Sequence, residues 1–186
     1  LLADMIESRE RPIRALIVLA GNPLLSMGGG ERLRRAFDKL ELLVVLDLFR
    51  NATGELADYL LPCADMLERR DINLCGLGMQ SQPFVQYTEA VVAPAHERRE
   101  EWWILGQLQR RLDPAADAAT ADPFLRMDRM LAHSGLSVQQ LKQAPSQTAV
   151  LPPPPTGNFY AQWIQTADRR VDCCPELFTE ALARAH

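Results

Sequence analysis

Polar residues end two apolar runs near the start of this sequence, and their side chains are suited to binding a nucleotide base. The run at residues 13–20 ends in a Gly-Asn-Pro tripeptide at residues 21–23, and the run at residues 40–47 ends in an aspartate. Asn22 carries a hydrogen-bond donor and an acceptor on a short arm, while the Asp47 carboxylate carries two acceptor oxygens. A carboxylate can accept two parallel N–H bonds, which matches the N1 and N2 edge of guanine.

These side chains can act together only if the two apolar runs lie side by side. Each run is short, continuous and rich in branched residues, which predicts strands of a parallel sheet that are covered on both faces. Between them, residues 29–40 place apolar side chains at helical spacing. Strand, helix and strand form one βαβ unit, whose crossover we expect to be right-handed. Ligands of open parallel sheets bind beyond the carboxyl ends of the strands, so Asn22 and Asp47 should face one crevice.

The residues beside Asn22 should shape this crevice. Gly21 permits a positive φ or a close approach of the backbone to a ligand. Pro23 fixes the exit direction and cannot continue a central strand. Plainer interpretations stay open, because Gly-Asn-Pro is a common turn and an aspartate after a strand often caps a helix. The three glycines at residues 28–30 form either an anion-binding nest or a flexible connector, and they lack the spacing of a dinucleotide fingerprint or a P-loop.

The middle of the sequence predicts a further helix and further strands. Thr53 is suited to cap a short helix, which precedes a third strand at residues 59–61 that Pro62 ends. We expect a long loop over residues 63–82 and strand character over residues 83–94.

The second half of the sequence is predicted to be mainly helical. Two short helices should lie at residues 123–135 and 136–144, the first closed by Gly135. The prolines at residues 152–155 predict a polyproline spacer, and a last helix should follow Pro175. A strong helix is predicted before them, over residues 97–112, with one apolar face that is typical of a core contact and consists of Trp102, Leu105, Leu108 and Leu112.

Together these elements predict an α/β fold with a mostly parallel sheet flanked by helices and a helical C-terminal extension. We assign residues 1–112 to the α/β domain and residues 113–151 to the helical extension. Residues 152–186 form a proline linker and a C-terminal tail.

The composition argues against several classes of protein. The 186 residues are 47% hydrophobic and carry a net charge of −4, whereas a nucleic-acid binder normally has a basic surplus. No apolar run reaches the roughly 18–20 residues of a membrane span. Acidic residues at positions 4, 7 and 10 argue against a signal peptide. The chain lacks an initiator methionine, so we expect a piece of a longer protein.

No group of side chains stands out as a catalytic or metal-binding constellation. The histidines have no partner at ligand spacing and are expected at the surface: His96, His133 and His186. The cysteines show no CxxC spacing, and we expect reduced thiols at Cys63, Cys75, Cys173 and Cys174. Reduced thiols fit a cytoplasmic protein, and a periplasmic location stays open. The residues alone therefore predict a nucleotide-type crevice without a catalytic site.

The ordered set of these motifs resembles the molybdopterin oxidoreductases, the bis-molybdopterin guanine dinucleotide enzymes that include formate dehydrogenases, nitrate reductases and dimethyl sulfoxide reductase. The set consists of a strand into Gly-Asn-Pro, a second strand that ends in aspartate, and then the stretch NATGELADYLLP followed by an acidic residue. It covers roughly residues 13–70.

The resemblance implies roles for particular residues. In this family the matching region is a Rossmann-like domain that holds the guanosine part of one of two pterin cofactors, so the resemblance implies that residues 1–112 are Rossmann-like and cofactor-binding. Asn22 would contact the cofactor, Leu46 and Asp47 would lie at the guanine, and Arg69 would be a further contact. An acid early in the tryptophan helix maps to Glu101. The candidate cofactor-binding residues are therefore Gly21, Asn22, Pro23, Leu46, Asp47, Arg69 and Glu101, and we assign no catalytic or metal-ligating residue.

The resemblance also implies what lies elsewhere in the parent enzyme. The family's iron–sulfur cysteines and its molybdenum or tungsten ligand precede this region, and a cofactor-covering domain follows it. We therefore expect neither catalysis nor a bound cofactor in this chain alone. Its expected partners are the remaining domains and an electron-transfer subunit. The sequence has Ala52-Thr53 where Glu-Thr is usual, and Glu68-Arg69 where Glu-Gly is frequent, which leaves the substrate subgroup open.

Two other functions stay open. A self-contained nucleotide-binding module, such as a regulatory domain, would bind its nucleotide without further sequence. A degenerate family member acting as an interaction domain would have lost the ligand, but the presence of both Asn22 and Asp47 argues against that loss.

Overall fold

The three strands predicted in the first 62 residues form one parallel sheet. The computed structural model describes residues 2–115, 122–153 and 163–185. The order in the sheet is β1-β2-β3, with β1 at Ala15–Leu19, β2 at Leu42–Asp47 and β3 at Tyr59–Pro62. Leu19 pairs with Leu46 and Asp47 pairs with Pro62, so the carboxyl ends of neighbouring strands lie side by side. The predicted α/β class with a parallel sheet and flanking helices is confirmed.

Helices cover one face of this sheet. They are α1 at Leu2–Ile6, α2 at Pro23–Ser26 and α3 at Gly30–Phe37, the last within the predicted range. Leu33 and Phe37 of α3 are buried against Val18 and Val45 of the sheet, and Ile6 of α1 joins the same cluster. Each fully buried leucine or phenylalanine side chain contributes about 1.5–3 kcal/mol, so this layer holds the sheet together.

The opposite face of the sheet is only partly covered, which contradicts the expectation for β1. A small cluster there contains Val44, Leu46 and Cys63, with Ile104 packed against it. It includes no residue of β1, and Leu19 is consequently 49% exposed. The continuous apolar run of β1 thus reflects burial on one face only.

The tryptophan helix, α4, spans Glu101–Leu112, but its predicted apolar face is not a core contact. Leu105 is 37% exposed and Leu112 is 87% exposed, whereas the buried residue of the helix is Gly106. The helix contacts the sheet cluster through Ile104, while Trp102 and Leu108 of the predicted face are half-buried and Trp103 is exposed.

A second sheet lies in the part of the chain expected to be loop and strand. Its order is β4-β5-β6, with an antiparallel β4–β5 pair. The segment 63–82 is therefore not one continuous loop, because it contains β4 and a 3-10 turn at Leu77–Met79. The strands are β4 at Asp71–Ile72, β5 at Phe84–Thr88 and β6 at Thr148–Val150.

The later helices agree with the predicted positions and have recognisable ends. The Asp122 side chain accepts a hydrogen bond from the backbone of Phe124 at the start of α5, and Ser137 caps α6 in the same way. Gly135 has a φ of +70° just after α5, which is the left-handed conformation of a helix end. The bounds are α5 at Pro123–Ala132, α6 at Val138–Gln143 and α7 at Glu176–Ala185.

The chain divides into two units, Leu1–Cys75 with Val85–Ala149, and Gly76–Phe84 with Val150–His186. The functional domain boundaries at residues 112 and 151 stay a prediction. Part of the proline run and His186 lie outside the described residues. None of the helices in the described part of the chain combines the length and apolar character needed to cross a bilayer. All four cysteines are free, and His96 and His133 are exposed.

Candidate functional site

A pocket of about 390 Å³ opens at the carboxyl ends of β1 and β2. Five of the seven candidate residues line it, namely Gly21, Asn22, Asp47, Arg69 and Glu101. The rest of its wall consists of Ala20, Leu48, Phe49, Asn51, Cys63 and Ala64. The sheet thus brings together side chains that lie as far apart in the sequence as residues 22 and 101.

The other two candidates support the pocket from outside. Leu46 is fully buried among the sheet residues, and its carbonyl oxygen accepts a hydrogen bond from the backbone of Ala20 at 2.9 Å. Pro23 is the first residue of α2, where the missing N–H of proline costs nothing.

The left-handed backbone conformation lies at Ala20, with a φ of 47°, and not at Gly21 as one of the expectations had it. A Cβ atom built on Gly21 would meet the carbonyl oxygen of Leu19 at 3.6 Å, an ordinary contact. The protein itself therefore does not require glycine at position 21. The other expectation for Gly21, a close approach of the backbone to a ligand, stays a prediction.

The Asn22 side chain is oriented by a buried threonine. The hydroxyl of Thr53 accepts a hydrogen bond from the backbone N–H of Leu24 at 3.3 Å and donates one to Oδ1 of Asn22 at 2.8 Å. Because Oδ1 of Asn22 accepts this hydrogen bond, the NH2 group of Asn22 remains free to donate to a ligand.

Thr53 is not the side-chain N-cap that its position predicts. Asn51 fills that role, because its Oδ1 accepts the backbone N–H bonds of Thr53 and Gly54, both at 3.0 Å. Asn51 and Thr53 contact the candidate residues Asp47 and Asn22, and sequence reasoning did not include them in the candidate site. The available signal was two short polar residues in the crossover directly after β2.

The Asp47 carboxylate is held by two hydrogen bonds. Oδ1 accepts the backbone N–H of Phe49 at 3.0 Å, and Oδ2 accepts Nδ2 of Asn51 at 2.9 Å. Each carboxylate oxygen has a second lone pair, so the group is fixed in orientation and can still accept bonds from a ligand.

Arg69 and Glu101 form an ion pair in the pocket wall. Nη1 of Arg69 lies 3.2 Å from Oε2 of Glu101, and Nη2 lies 3.4 Å from Oδ2 of Asp71. The Nε atom of Arg69 is buried and has no hydrogen-bond partner within the described residues. The same arginine and glutamate also line an adjacent pocket of about 430 Å³.

The pocket has a negative character around Cys63. Burial is the main reason why the pKa of the Cys63 thiol is raised to about 11; the charges of Glu101 and Asp47 contribute to this rise, and Arg69 opposes it. The thiol is therefore neutral at neutral pH, and this side of the pocket favours hydrogen-bond donors over anions.

Glu68 fixes the segment that carries Arg69. Its buried carboxylate accepts the backbone N–H bonds of Asp65 and Ala95, both at 2.9 Å, and pairs with Arg98 at 2.9 Å. The two backbone bonds are the main reason why the pKa of Glu68 lies below its usual value. Because its neighbour in the chain lines the pocket, this glutamate contributes to the geometry of the site.

A family model matches more than half of this chain. Residues 2–111 match the family model described as "Molybdopterin oxidoreductase". The chain is 32% identical over 109 residues to "Probable oxidoreductase YyaE" of Bacillus subtilis, covering 59% of this chain and 16% of that protein. It is 35% identical over 112 residues to "NADPH-Fe(3+) oxidoreductase subunit alpha" of Geobacter sulfurreducens, covering 60% of this chain and 13% of that protein.

A solved structure supports the fold over almost the whole chain. "Acetylene Hydratase from Pelobacter acetylenicus" superposes with a TM-score of 0.67 at 22% identity, covering 97% of this chain and 24% of that one. The chain therefore spans less than a quarter of the length of this structure and a smaller share of the two relatives above.

Proposed function

This chain belongs to the molybdopterin oxidoreductase family, and we propose that its pocket binds the guanosine end of a molybdopterin guanine dinucleotide cofactor within a larger oxidoreductase. The observation that carries the proposal is the convergence of Asn22, Asp47 and Arg69 on one pocket at the carboxyl ends of β1 and β2. This is the edge at which open parallel sheets of this kind bind nucleotides.

The fixed polar groups fit guanine. The N1–H and N2–H groups of the base are donors in parallel, and the Asp47 carboxylate has free lone pairs in a fixed orientation to accept them. The negative character around Cys63 supports binding of such a donor edge. Adenine presents an acceptor at the corresponding N1 position, so it should be rejected.

The guanidinium of Arg69 fits an acceptor-bearing part of the same ligand. Its side chain is 32% exposed, and each Nη atom carries two N–H groups, so donors remain beside the ion pairs with Glu101 and Asp71 for a phosphate or ribose oxygen. Bound in the parent enzyme, the cofactor would supply redox chemistry at molybdenum or tungsten, and the residues of this chain would bind and orient it.

The remaining parts of the system follow from the family and are proposals. We infer that the other domains supply the metal ligand and an iron–sulfur cluster, and that electrons pass to a further subunit. A cytoplasmic location stays a prediction that rests on the free thiols.

The proposal is tested on the full-length parent protein, produced in a host that synthesises the cofactor. Asp47→Asn keeps the size of the side chain but replaces one acceptor oxygen by a donor. Molybdenum, tungsten and the GMP released by acid hydrolysis are quantified per chain. We expect metal and the GMP of both pterin cofactors in the natural protein, and loss of the GMP of one of them in Asp47→Asn.

Asp38→Asn is the matched control, because Asp38 is an exposed aspartate at the end of α3 and lies outside the pocket wall. It should keep its full GMP content. Full GMP content in folded Asp47→Asn would overturn the assignment of Asp47. A folded natural protein without metal or GMP would refute the cofactor proposal and favour an interaction domain.

A further inference from the structure

One short turn in the crossover between β2 and β3 contacts both proposed base-binding side chains. Nδ2 of Asn51 donates to Oδ2 of Asp47 at 2.9 Å, and Oγ1 of Thr53 donates to Oδ1 of Asn22 at 2.8 Å. Asp47 is the last residue of β2 and Asn22 follows β1, so the turn links the ends of two neighbouring strands.

The turn itself has little freedom to move. Thr53 is fully buried, and its hydroxyl also accepts the backbone N–H of Leu24. Asn51 binds the two following backbone N–H groups through its side chain, and its carbonyl oxygen accepts the N–H of Glu55 at 2.9 Å. Gly54 is buried, and a Cβ atom there would lie 3.3 Å from a side-chain carbon of Leu60, so the turn packs directly against β3.

We propose that Asn51 and Thr53 are positioning residues of the guanine site, and that residues 51–54 couple Asn22 and Asp47 into one rigid recognition unit. This inference rests on the proposed function. Its physical basis is that neither side chain can rotate without breaking a hydrogen bond to the turn. The unit would present a donor from Asn22 and acceptors from Asp47 in a fixed relative geometry, which lowers the cost of ordering them on binding.

The coupling predicts how variants combine. Thr53→Val keeps the shape of the side chain and removes the hydroxyl, so the Asn22 amide loses its fixed orientation. We expect this variant to bind GMP about tenfold more weakly, because the loss of one hydrogen bond corresponds to roughly a tenfold change in affinity. If Thr53 acts through Asn22, the same change should have no further effect in an Asn22→Ala background.

Asn51→Ala tests the other half of the unit independently. It should weaken GMP binding when Asp47 is present and should have no further effect in an Asp47→Ala background. The matched control for Thr53→Val is Thr53→Ser, which retains the hydroxyl and should bind GMP with the affinity of the natural chain.

The affinities of all variants are measured by titrating the chain with GMP and following backbone amide signals by NMR.

A readout without ligand separates this inference from the proposed function. The ¹⁵N order parameter of the Asn22 side-chain NH2 should be near the rigid value of about 0.85 and should fall below about 0.6 in Thr53→Val. The Asn51 NH2 group should stay rigid in that variant, and Thr53→Ser should behave as the natural chain.

The outcomes differ for the two ideas. A rigid Asn22 amide in folded Thr53→Val overturns the positioning role, as does an equal loss of GMP affinity with and without Asn22. If Thr53→Val does not fold, additive effects of Asn51→Ala and Asp47→Ala overturn the inference. If the natural chain and its parent bind no GMP, the proposed function fails while the NMR measurement still decides the positioning role.

Discussion

The protein should be more stable with a glycine than with the natural alanine at position 20, directly after β1. Ala20 has a φ of 47°, a conformation that costs an L-residue roughly 1–2 kcal/mol and glycine almost nothing. A glycine also lowers the free energy of unfolding by about 0.5–1 kcal/mol, because the unfolded chain gains conformational entropy. Ala20 is exposed, so its methyl group contributes little burial. Ala20→Gly should therefore increase the free energy of unfolding by about 0.5–1 kcal/mol.

Ala15→Gly is the matched control. Ala15 is also exposed and begins the same strand, but it has extended backbone geometry that alanine adopts freely. The entropy cost of glycine then acts alone and should lower the free energy of unfolding by about 0.5–1 kcal/mol. The same substitution, alanine to glycine, should thus raise the free energy of unfolding at position 20 and lower it at position 15.

Urea unfolding followed by circular dichroism measures both changes. With a denaturant slope of about 1–3 kcal/mol per molar urea, the two midpoints should move apart by several tenths of a molar. The reasoning is refuted if Ala20→Gly lowers the midpoint as much as Ala15→Gly does. In that case the left-handed conformation would store no strain.

Two further outcomes concern titrating groups. At pH 8, iodoacetamide should label exposed Cys75 well before Cys63, whose pKa is raised to about 11; equal rates by mass spectrometry would contradict this. The pKa of Glu68 is lowered below its usual 4.5, so its contribution to stability is complete above that pH and is lost as the pH falls through the lower folded value. Glu68→Gln should flatten the stability curve in this acidic range, and an unchanged curve from urea unfolding would argue against the contribution.

The strands and helices were predictable because they depend on local patterns. The continuous apolar run of β2 and the helical spacing of Leu33 and Phe37 specify burial without reference to distant residues. The placement of Asn22 and Asp47 on one pocket follows from the parallel sheet, since its carboxyl ends share one edge.

Other features depend on partners that are distant in the sequence. Thr53 is suited to be a helix cap, but its hydroxyl binds Asn22, 31 residues earlier, instead of the adjacent backbone. The left-handed conformation at Ala20 accompanies a hydrogen bond to Leu46 and has no signal in the local sequence, where Gly21 is the expected site. The exposure of Leu105 and Leu112 depends on how α4 meets the sheet, which helical spacing alone does not fix.

The register of the sheet also bears on the order in which the chain folds. Val44 pairs with Tyr59, 15 residues later, whereas Ala15 pairs with Leu42, 27 residues later. Loop-closure entropy therefore favours formation of the β2–β3 pair first, by about 0.5 kcal/mol. The shorter loop is the one that contains Asn51 and Thr53. We expect the turn to be in place when β1 docks, so that Asn22 arrives at a partner that is already formed.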